Sequence, residues 1–176
     1  MNMQPERVNG IEQIQTVAAL ARETWMSHYV PIIGRAQVEY MLEKYQSVEA
    51  IARQIEAEGY EYYLIPACGY FALVPDAANR SMLLSKIYVR AEKRGTGLGR
   101  AMVAYAEQRG RELGCRELWL TVNRNNAGSI AFYKRMGFRK TNPLVTDIGR
   151  GFVMDDWRMA KTLSSRSKAD RLPRPG

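Results

Sequence analysis

A single histidine, His28, and two cysteines, Cys68 and Cys115, are all that the chain offers to a zinc ion or a disulfide framework. The cysteines lie far apart and form no CxxC pair. A metal site is therefore not expected, and a reducing, cytoplasmic setting is the simplest reading. No apolar run approaches the length of a membrane span. The opening "MNMQPERVNG" lacks the apolar core of a signal peptide. No Gly-Lys pair is followed by Ser or Thr, which excludes a Walker phosphate loop. No helix-turn-helix pattern or stacking-aromatic motif is present, so a nucleic-acid partner is not expected.

What is present is the composition of one ordinary globular domain: 176 residues, 46% hydrophobic and 25% charged. A chain of this size buries roughly two-thirds of its unfolded surface and needs no staples. The net charge is +8, and the last thirteen residues, "SSRSKADRLPRPG", hold +3 of it. That segment, 164–176, has two prolines and no apolar periodicity, and reads as a flexible basic tail behind a domain over 1–163. The remaining excess fits an anionic ligand or, equally, a solvated basic surface.

Helical periodicity dominates the first third. Ile11, Ile14, Val17, Leu20, Ala21, Thr24, Trp25 and Tyr29 recur at steps of three and four, and Pro31 is expected to end the pattern. "AQVEYMLEKY" and "SVEAIARQIEAEG" predict two further helices, the second with Ser47 as N-cap and Gly59 as its stop. "YEYYLI", "CGYFALVP" and "SMLLSKIYVR" then read as strands, with "PDAANR" as a turn. A helix over 98–113 buries Leu98, Met102, Tyr105, Ala106 and Leu113. After it come the strand "ELWLTV", the helix "NAGSIAFYKRM" closed by Gly137, and the strands "FRKT" and "GFVMDDWRMAKTL". The order predicts a mixed α/β (α+β) domain with one central sheet and N-terminal helices.

The most informative stretch is "KIYVRAEKRGTGLGRAMVAYAE", residues 86–107. A strand breaks at Arg90, and a helix starts near Gly97. Its first backbone N–H groups have no partner within the helix, and the helix dipole makes that end positive. Glycines at 95, 97 and 99 let an anion approach the amides, and Arg94 and Arg100 add full charges. A tight turn needing positive φ also explains the glycines. The arginines favour a pyrophosphate cradle over residues 94–100. It is not a dinucleotide fingerprint, because the glycine spacing differs and the next acid, Glu117, opens the following strand.

Arg94-Gly95-Thr96-Gly97-Leu98-Gly99 resembles the pyrophosphate loop of the GNAT superfamily of acyl-CoA-dependent N-acyltransferases. About 30 residues on, Asn126, Ser129, Phe132-Tyr133 and Gly137-Phe138 resemble the later signature of that family. The two motifs stand in the family's order, and the resemblance covers roughly residues 60 to 163. "YVPIIGRAQVEYMLEKY" is similar to a bacterial branch that includes polyamine acetyltransferases.

The resemblance implies an acetyltransferase that takes acetyl-CoA as co-substrate and moves the acetyl group to a primary amine by direct attack in a ternary complex. It implies a strand that splays from its neighbour and pairs with the pantetheine arm through the backbone of Ile87, Tyr88 and Val89. Arg94 to Arg100 would hold the pyrophosphate. Asn126 would sit near the pantetheine or serve as a helix N-cap, with Ser129 beside it. Tyr133 would protonate the departing thiolate, or serve as a core aromatic; a phenol of pKa about 10 suits a leaving group of about 8.5. The acceptor would be a small amine, with polyamines leading. The alternatives are a peptide or protein amine, or a module that binds acyl-CoA without transfer. A homodimer is an allowed assembly.

The general base is less legible. An amine of pKa near 10.4 requires about 4.6 kcal/mol to deprotonate at pH 7. Strand 81–90 contains no acid. Glu61, Asp155, Asp156 and His28 are the candidates. The acceptor site is expected between the first helices and the last strands, from Trp25, His28, Tyr29, Asp155 and Asp156, where aromatic faces and paired carboxylates suit a cation. The two aspartates also fit a solvated turn.

Overall fold

The computed structural model describes residues 3–164; the tail read at 164–176 lies, but for its first residue, outside them. Seven strands form one sheet in the order β1-β2-β3-β4-β5-β7-β6. They are β1 (Glu6–Arg7), β2 (Glu61–Ile65), β3 (Gly69–Asp76), β4 (Ser81–Val89), β5 (Glu117–Asn123), β6 (Arg139–Gly149) and β7 (Phe152–Thr162). Five α-helices flank it: α1 (Ile11–Ile33), α2 (Arg35–Gln46), α3 (Val48–Ala57), α4 (Leu98–Glu112) and α5 (Ala127–Arg135). All neighbouring strands are antiparallel except β4 and β5.

Alternation along β2 and β3 feeds two cores. Tyr63, Ile65, Phe71 and Leu73 face α4 and α5 with Met102, Leu120 and Met159. Tyr62, Leu64, Tyr70 and Ala72 face α1–α3 with Val17, Trp25 and Val38. Both faces of these strands are covered, which is why they read as continuous apolar runs rather than alternating ones.

Two irregularities of β4 shape everything that follows. Ala72 pairs with Lys86 and Leu73 with Leu84, so Ser85 is an extra residue, a β-bulge. The bulge inverts the alternation: Met82 and Leu84 belong to the α4-side core, whereas Tyr88 packs in the α1-side core. The pairing of β4 with β5 also ends early. It runs only from Ser81↔Glu117 to Leu83↔Trp119, although β4 continues to Val89 and β5 to Asn123. The two strands splay beyond that point.

Several sequence expectations change. Pro31 does not end α1; the helix runs to Ile33, and the Gly34 N–H bonds Val30 O at 2.9 Å. A proline near a helix end removes one hydrogen bond without forbidding the turn. Leu113 caps α4 and is exposed rather than buried. β6 extends well past "FRKT" to Gly149, with Pro143 inside it. It is one of the sheet's two edge strands, where a missing N–H costs little. The Ser47 cap forms as expected, accepting from Ala50 N–H at 3.2 Å. No helix among the described residues is long and apolar enough to cross a membrane.

Candidate active site

The splay of β4 from β5 opens a cavity of about 500 Å³. One wall is Leu84, Ser85, Ile87, Tyr88 and Val89 of β4, and the other is Thr121 and Val122 of β5. The 93–100 loop closes one end, and α5 lies across the gap with Asn126, Ser129, Phe132 and Tyr133. His28 and Tyr29 reach in from α1. The β5-facing backbone groups of β4 beyond Leu83 have no ladder partner, so Ile87, Tyr88 and Val89 present main-chain groups to the cavity.

The loop is built as an anion cradle. Gly95 (φ +75°) and Gly97 (φ +85°) adopt the left-handed conformation that side chains resist, and this turns the amides at the start of α4 outward. Gly99 has a different reason. A Cβ there would lie 3.3 Å from Phe132 Cζ, so the glycine lets α5 approach α4. Arg94 and Arg100 line the cavity and are exposed. Arg94 Nε donates to Val89 O at 3.3 Å. Thr96 does not line it; its hydroxyl donates to Lys93 O at 2.6 Å and ties the loop.

Asn126 is buried and accepts the Ser129 N–H at 3.4 Å, capping α5. The Asn126 side chain faces His28 across the cavity. Burial, and then the Arg94 charge, hold the imidazole below its ordinary range. His28 thus lies toward the phosphate end, with its ring packed edge-on against Tyr29 at 4.8 Å between centroids. Tyr133 is buried, and its hydroxyl makes no hydrogen bond to another described residue. Burial, with a smaller contribution from Tyr29, raises its pKa well above that of a free phenol, so it remains a proton donor.

The remaining candidates divide. Tyr29 Oη and Tyr88 Oη lie 3.1 Å apart in the cavity wall. Asp156 of β7 is buried beside Thr121, and it adds to the burial that raises the Tyr29 pKa. Burial, then the neighbouring Asp155, push Asp156 up to about 6. Asp155 itself points outward and pairs with Arg124 at 3.1 Å, so the structure does not bring the two aspartates together as a pair. Strand alternation sends adjacent residues to opposite faces. Trp25 is sealed in the α1-side core, its indole N–H donating to Tyr70 Oη at 3.2 Å; it does not line the cavity but packs behind the lining rings of Tyr29 and Tyr88, at 5.7 and 5.3 Å between centroids. Glu61 belongs to a structural cluster. Burial raises its pKa, but bonds from Arg109 at 2.8 and 3.0 Å and from Tyr63, with Arg7 nearby, more than offset that and hold it low.

The sequence reading missed Ser85, Lys93 and Thr121 as lining residues. Nothing local marks them, because a bulge, a splay and a partner strand put them there. Among the described residues no cluster of His, Cys, Asp or Glu could hold a metal ion.

Residues 25–138 match the model of the acetyltransferase (GNAT) family. Streptothricin acetyltransferase of Streptomyces lavendulae is 39% identical over 70 residues, which is 40% of this chain and only 37% of that protein's length. Spermidine N(1)-acetyltransferase of Thermoplasma acidophilum is 26% identical over 152 residues, covering 82% of this chain and 91% of that protein. The PaiA N-acetyltransferase of Thermoplasma acidophilum, solved with coenzyme A, shares the fold. It aligns with a TM-score of 0.71 at 22% identity over 91% of this chain and 99% of that one. The matched region contains the splayed strands, the glycine loop and the Tyr133 helix, and the chain belongs to the GNAT family of acetyl-CoA-dependent acetyltransferases.

Proposed function

We propose that the cavity binds acetyl-CoA and transfers its acetyl group to the primary amine of a small molecule that arrives as a cation. The observation that carries this reading is the splay. A groove with unpaired backbone on one wall runs from an anion cradle to a buried phenol, and the Asp156 carboxylate is buried behind its opposite wall, beside the lining residue Thr121. The pyrophosphate would lie on the amides and arginines of 94–100. The pantetheine would pair with Ile87–Val89, with Asn126 and Ser129 beside it.

The chain's own groups then divide the proton work. The amine nitrogen attacks the thioester carbonyl carbon, and the carbon–sulfur bond breaks. The departing thiolate takes its proton from Tyr133 Oη. The ammonium first gives one proton to Asp156, directly or through water, which frees the nitrogen lone pair for attack, and the raised pKa of that carboxyl suits it to the task. The second proton leaves the nitrogen after the carbon–nitrogen bond forms and restores Tyr133 Oη, so that one proton in all reaches solvent by way of Asp156. Before the reaction, the charge on Asp156 and the rings of Tyr29 and Tyr88 would hold the ammonium. His28, Trp25, Asp155 and Glu61 have no part in this step.

Polyamines are the first acceptor class to test, because spermidine is the named substrate of a relative aligned over most of both chains. The test is acetyl-CoA consumption with a panel of polyamines, amino acids, aminoglycosides and peptides with free N-termini. Amine-dependent release of coenzyme A is expected with small amines. Release only with peptides would move the acceptor to a protein or peptide amine. Acetyl-CoA binding without release for any amine would leave a non-catalytic acyl-CoA module.

A further inference from the structure

Asp156, the proposed proton acceptor, does not itself line the cavity, and it is only 7% exposed. The register of the sheet gives the side chains around it. Leu120 and Val122 of β5 belong to the α4-side core, so Thr121 and Asn123 face the other way. Asn123 pairs with Asp156 and Thr121 with Arg158, with no register shift between them. Asp156 therefore shares that face, and Thr121 is its diagonal neighbour. On the other flank Leu144 of β6 pairs with Asp156, and Met154 and Arg158 lie two residues to either side along β7.

Of these five neighbours only Thr121 lines the cavity. The others offer no route for a proton. Asn123 Oδ1 accepts the Asn125 N–H at 2.9 Å. Arg158 pairs with Glu117, donates to Thr141 Oγ1 at 3.2 Å and lies over the Trp119 ring at 4.8 Å, so its charge is engaged elsewhere. Leu144 and Met154 carry no exchangeable proton. A threonine hydroxyl has one donor and two acceptor lone pairs, whereas an ionised carboxylate only accepts and an ammonium only donates. A hydroxyl between the two is therefore oriented one way, with its O–H toward the carboxylate and a lone pair toward the ammonium.

We infer that Thr121 relays the proton between the acceptor amine in the cavity and Asp156 behind it. This rests on the acetyl-transfer reading above and gives the route of its first proton. The ammonium N–H bond breaks and its proton goes to Thr121 Oγ1. The Thr121 O–H bond breaks in the same step and its proton goes to an Asp156 carboxylate oxygen. The nitrogen lone pair is then free, Thr121 is again a neutral hydroxyl, and Asp156 is a neutral acid. After the product leaves, the reverse shift through the same hydroxyl carries the proton to water in the cavity.

Thr121→Val keeps the shape and removes the relay; Thr121→Ser keeps the hydroxyl. Steady-state kinetics with a primary amine are compared across pH for wild type and both variants, with acetyl-CoA affinity and circular dichroism as checks. Thr121→Val should lower kcat by roughly 10²-fold or more, with acetyl-CoA affinity unchanged, and Thr121→Ser should restore most of the loss. The fall in kcat/KM below pH about 6 should also flatten in Thr121→Val, while its thermal stability keeps the pH dependence of wild type because Asp156 stays buried. The other ionisable groups around Asp156 are Asp155, paired with Arg124, Arg158, paired with Glu117, and Tyr29 of α1; β5 and β6 present only Thr121, Asn123 and Leu144 to it. If Thr121→Val does not fold, Thr121→Ala takes its place with the same expectation. Full activity in the variant lacking the hydroxyl overturns the relay, and so does a serine variant as slow as the valine one. In either case the acetyl-transfer reading stands alone; absence of coenzyme A release by wild type with every amine removes both.

Discussion

The donor and acceptor halves of the cleft are built by different means. The donor half is nearly continuous in sequence: the end of β4, the glycine loop, the start of α4, then the capped start of α5. Its chemistry is backbone chemistry, with amides turned out by two positive-φ glycines and strand groups left unpaired. The acceptor half, as proposed above, would be drawn from α1, β4, β5 and β7 and would depend on side chains: Tyr29, Tyr88 and Thr121 in the lining, with Asp156 buried behind Thr121. Backbone sites tolerate changes of side chain but not of conformation. Side-chain sites tolerate the reverse. The donor half should therefore be the part shared with relatives, and the acceptor half the part that distinguishes this chain.

The largest effect should come from breaking the donor half. Gly97→Asp adds a side chain at φ +85° and a negative charge in an anion cradle, and should abolish acetyl-CoA binding by calorimetry. Unchanged affinity would remove the loop from the site. Next comes Tyr133→Phe, which keeps the ring and removes the proton. A drop of roughly 10²–10⁴-fold in kcat is expected, with acetyl-CoA affinity retained. Full activity would leave Tyr133 as a packing residue.

The acceptor half should respond through KM and pH. Asp156→Asn should raise KM for the amine by about tenfold or more, the worth of a charged hydrogen bond, with acetyl-CoA affinity intact. In wild type, kcat/KM for the amine should fall as pH drops through about 6, where Asp156 gains its proton. The variant should lack that step. His28, in the same cavity, is held below its ordinary range by burial and then by the Arg94 charge, and the variant comparison separates its titration from that of Asp156. Stability should move the other way. Burial holds the folded-state pKa of Asp156 above the ordinary aspartate value of 3.8, so folding is favoured while the group is protonated. That contribution is lost as pH rises through about 6. At pH 7 Asp156→Asn should therefore be more stable than wild type, by about 1–3 kcal/mol. A thermal melt showing destabilisation would contradict the burial of an unpaired carboxylate.

Glu61→Gln should have the smallest effect on turnover. The carboxylate pairs with Arg109 and Arg7, so the variant should lower Tm with kcat within about twofold of wild type, since truncating one partner of a largely buried pair acts on folding. The pKa of Glu61 is depressed on folding, so its stabilisation is present above the ordinary carboxylate range and fades as pH falls below it. A large loss of kcat would return it to the list of bases.

Much of the donor half was legible because its signals are local. A glycine loop between a strand and a helix, with arginines at its edges, specifies its conformation within a few residues. An asparagine before a helix specifies a cap, and Asn126 forms one. The acceptor half was legible only as a list of residue types. Trp25, Tyr29, Asp155 and Asp156 were all plausible by chemistry, yet packing buried the first and pairing turned Asp155 outward to Arg124.

The sequence by itself determined the element order, the apolar faces, the glycine loop and the family, because each rests on periodicity, backbone freedom or motif spacing within a short window. Only the tertiary structure decided which side chains share the cleft. Alternation read along "SMLLSKIYV" sends Lys86 to the same side as Met82 and Leu84. The extra residue at Ser85 sends it to the other, beside Tyr88. That bulge exists only in the pairing of β4 with β3, and the splay only in the failure of β4 to stay paired with β5. Both are relations between distant segments, and no local run of residues encodes them.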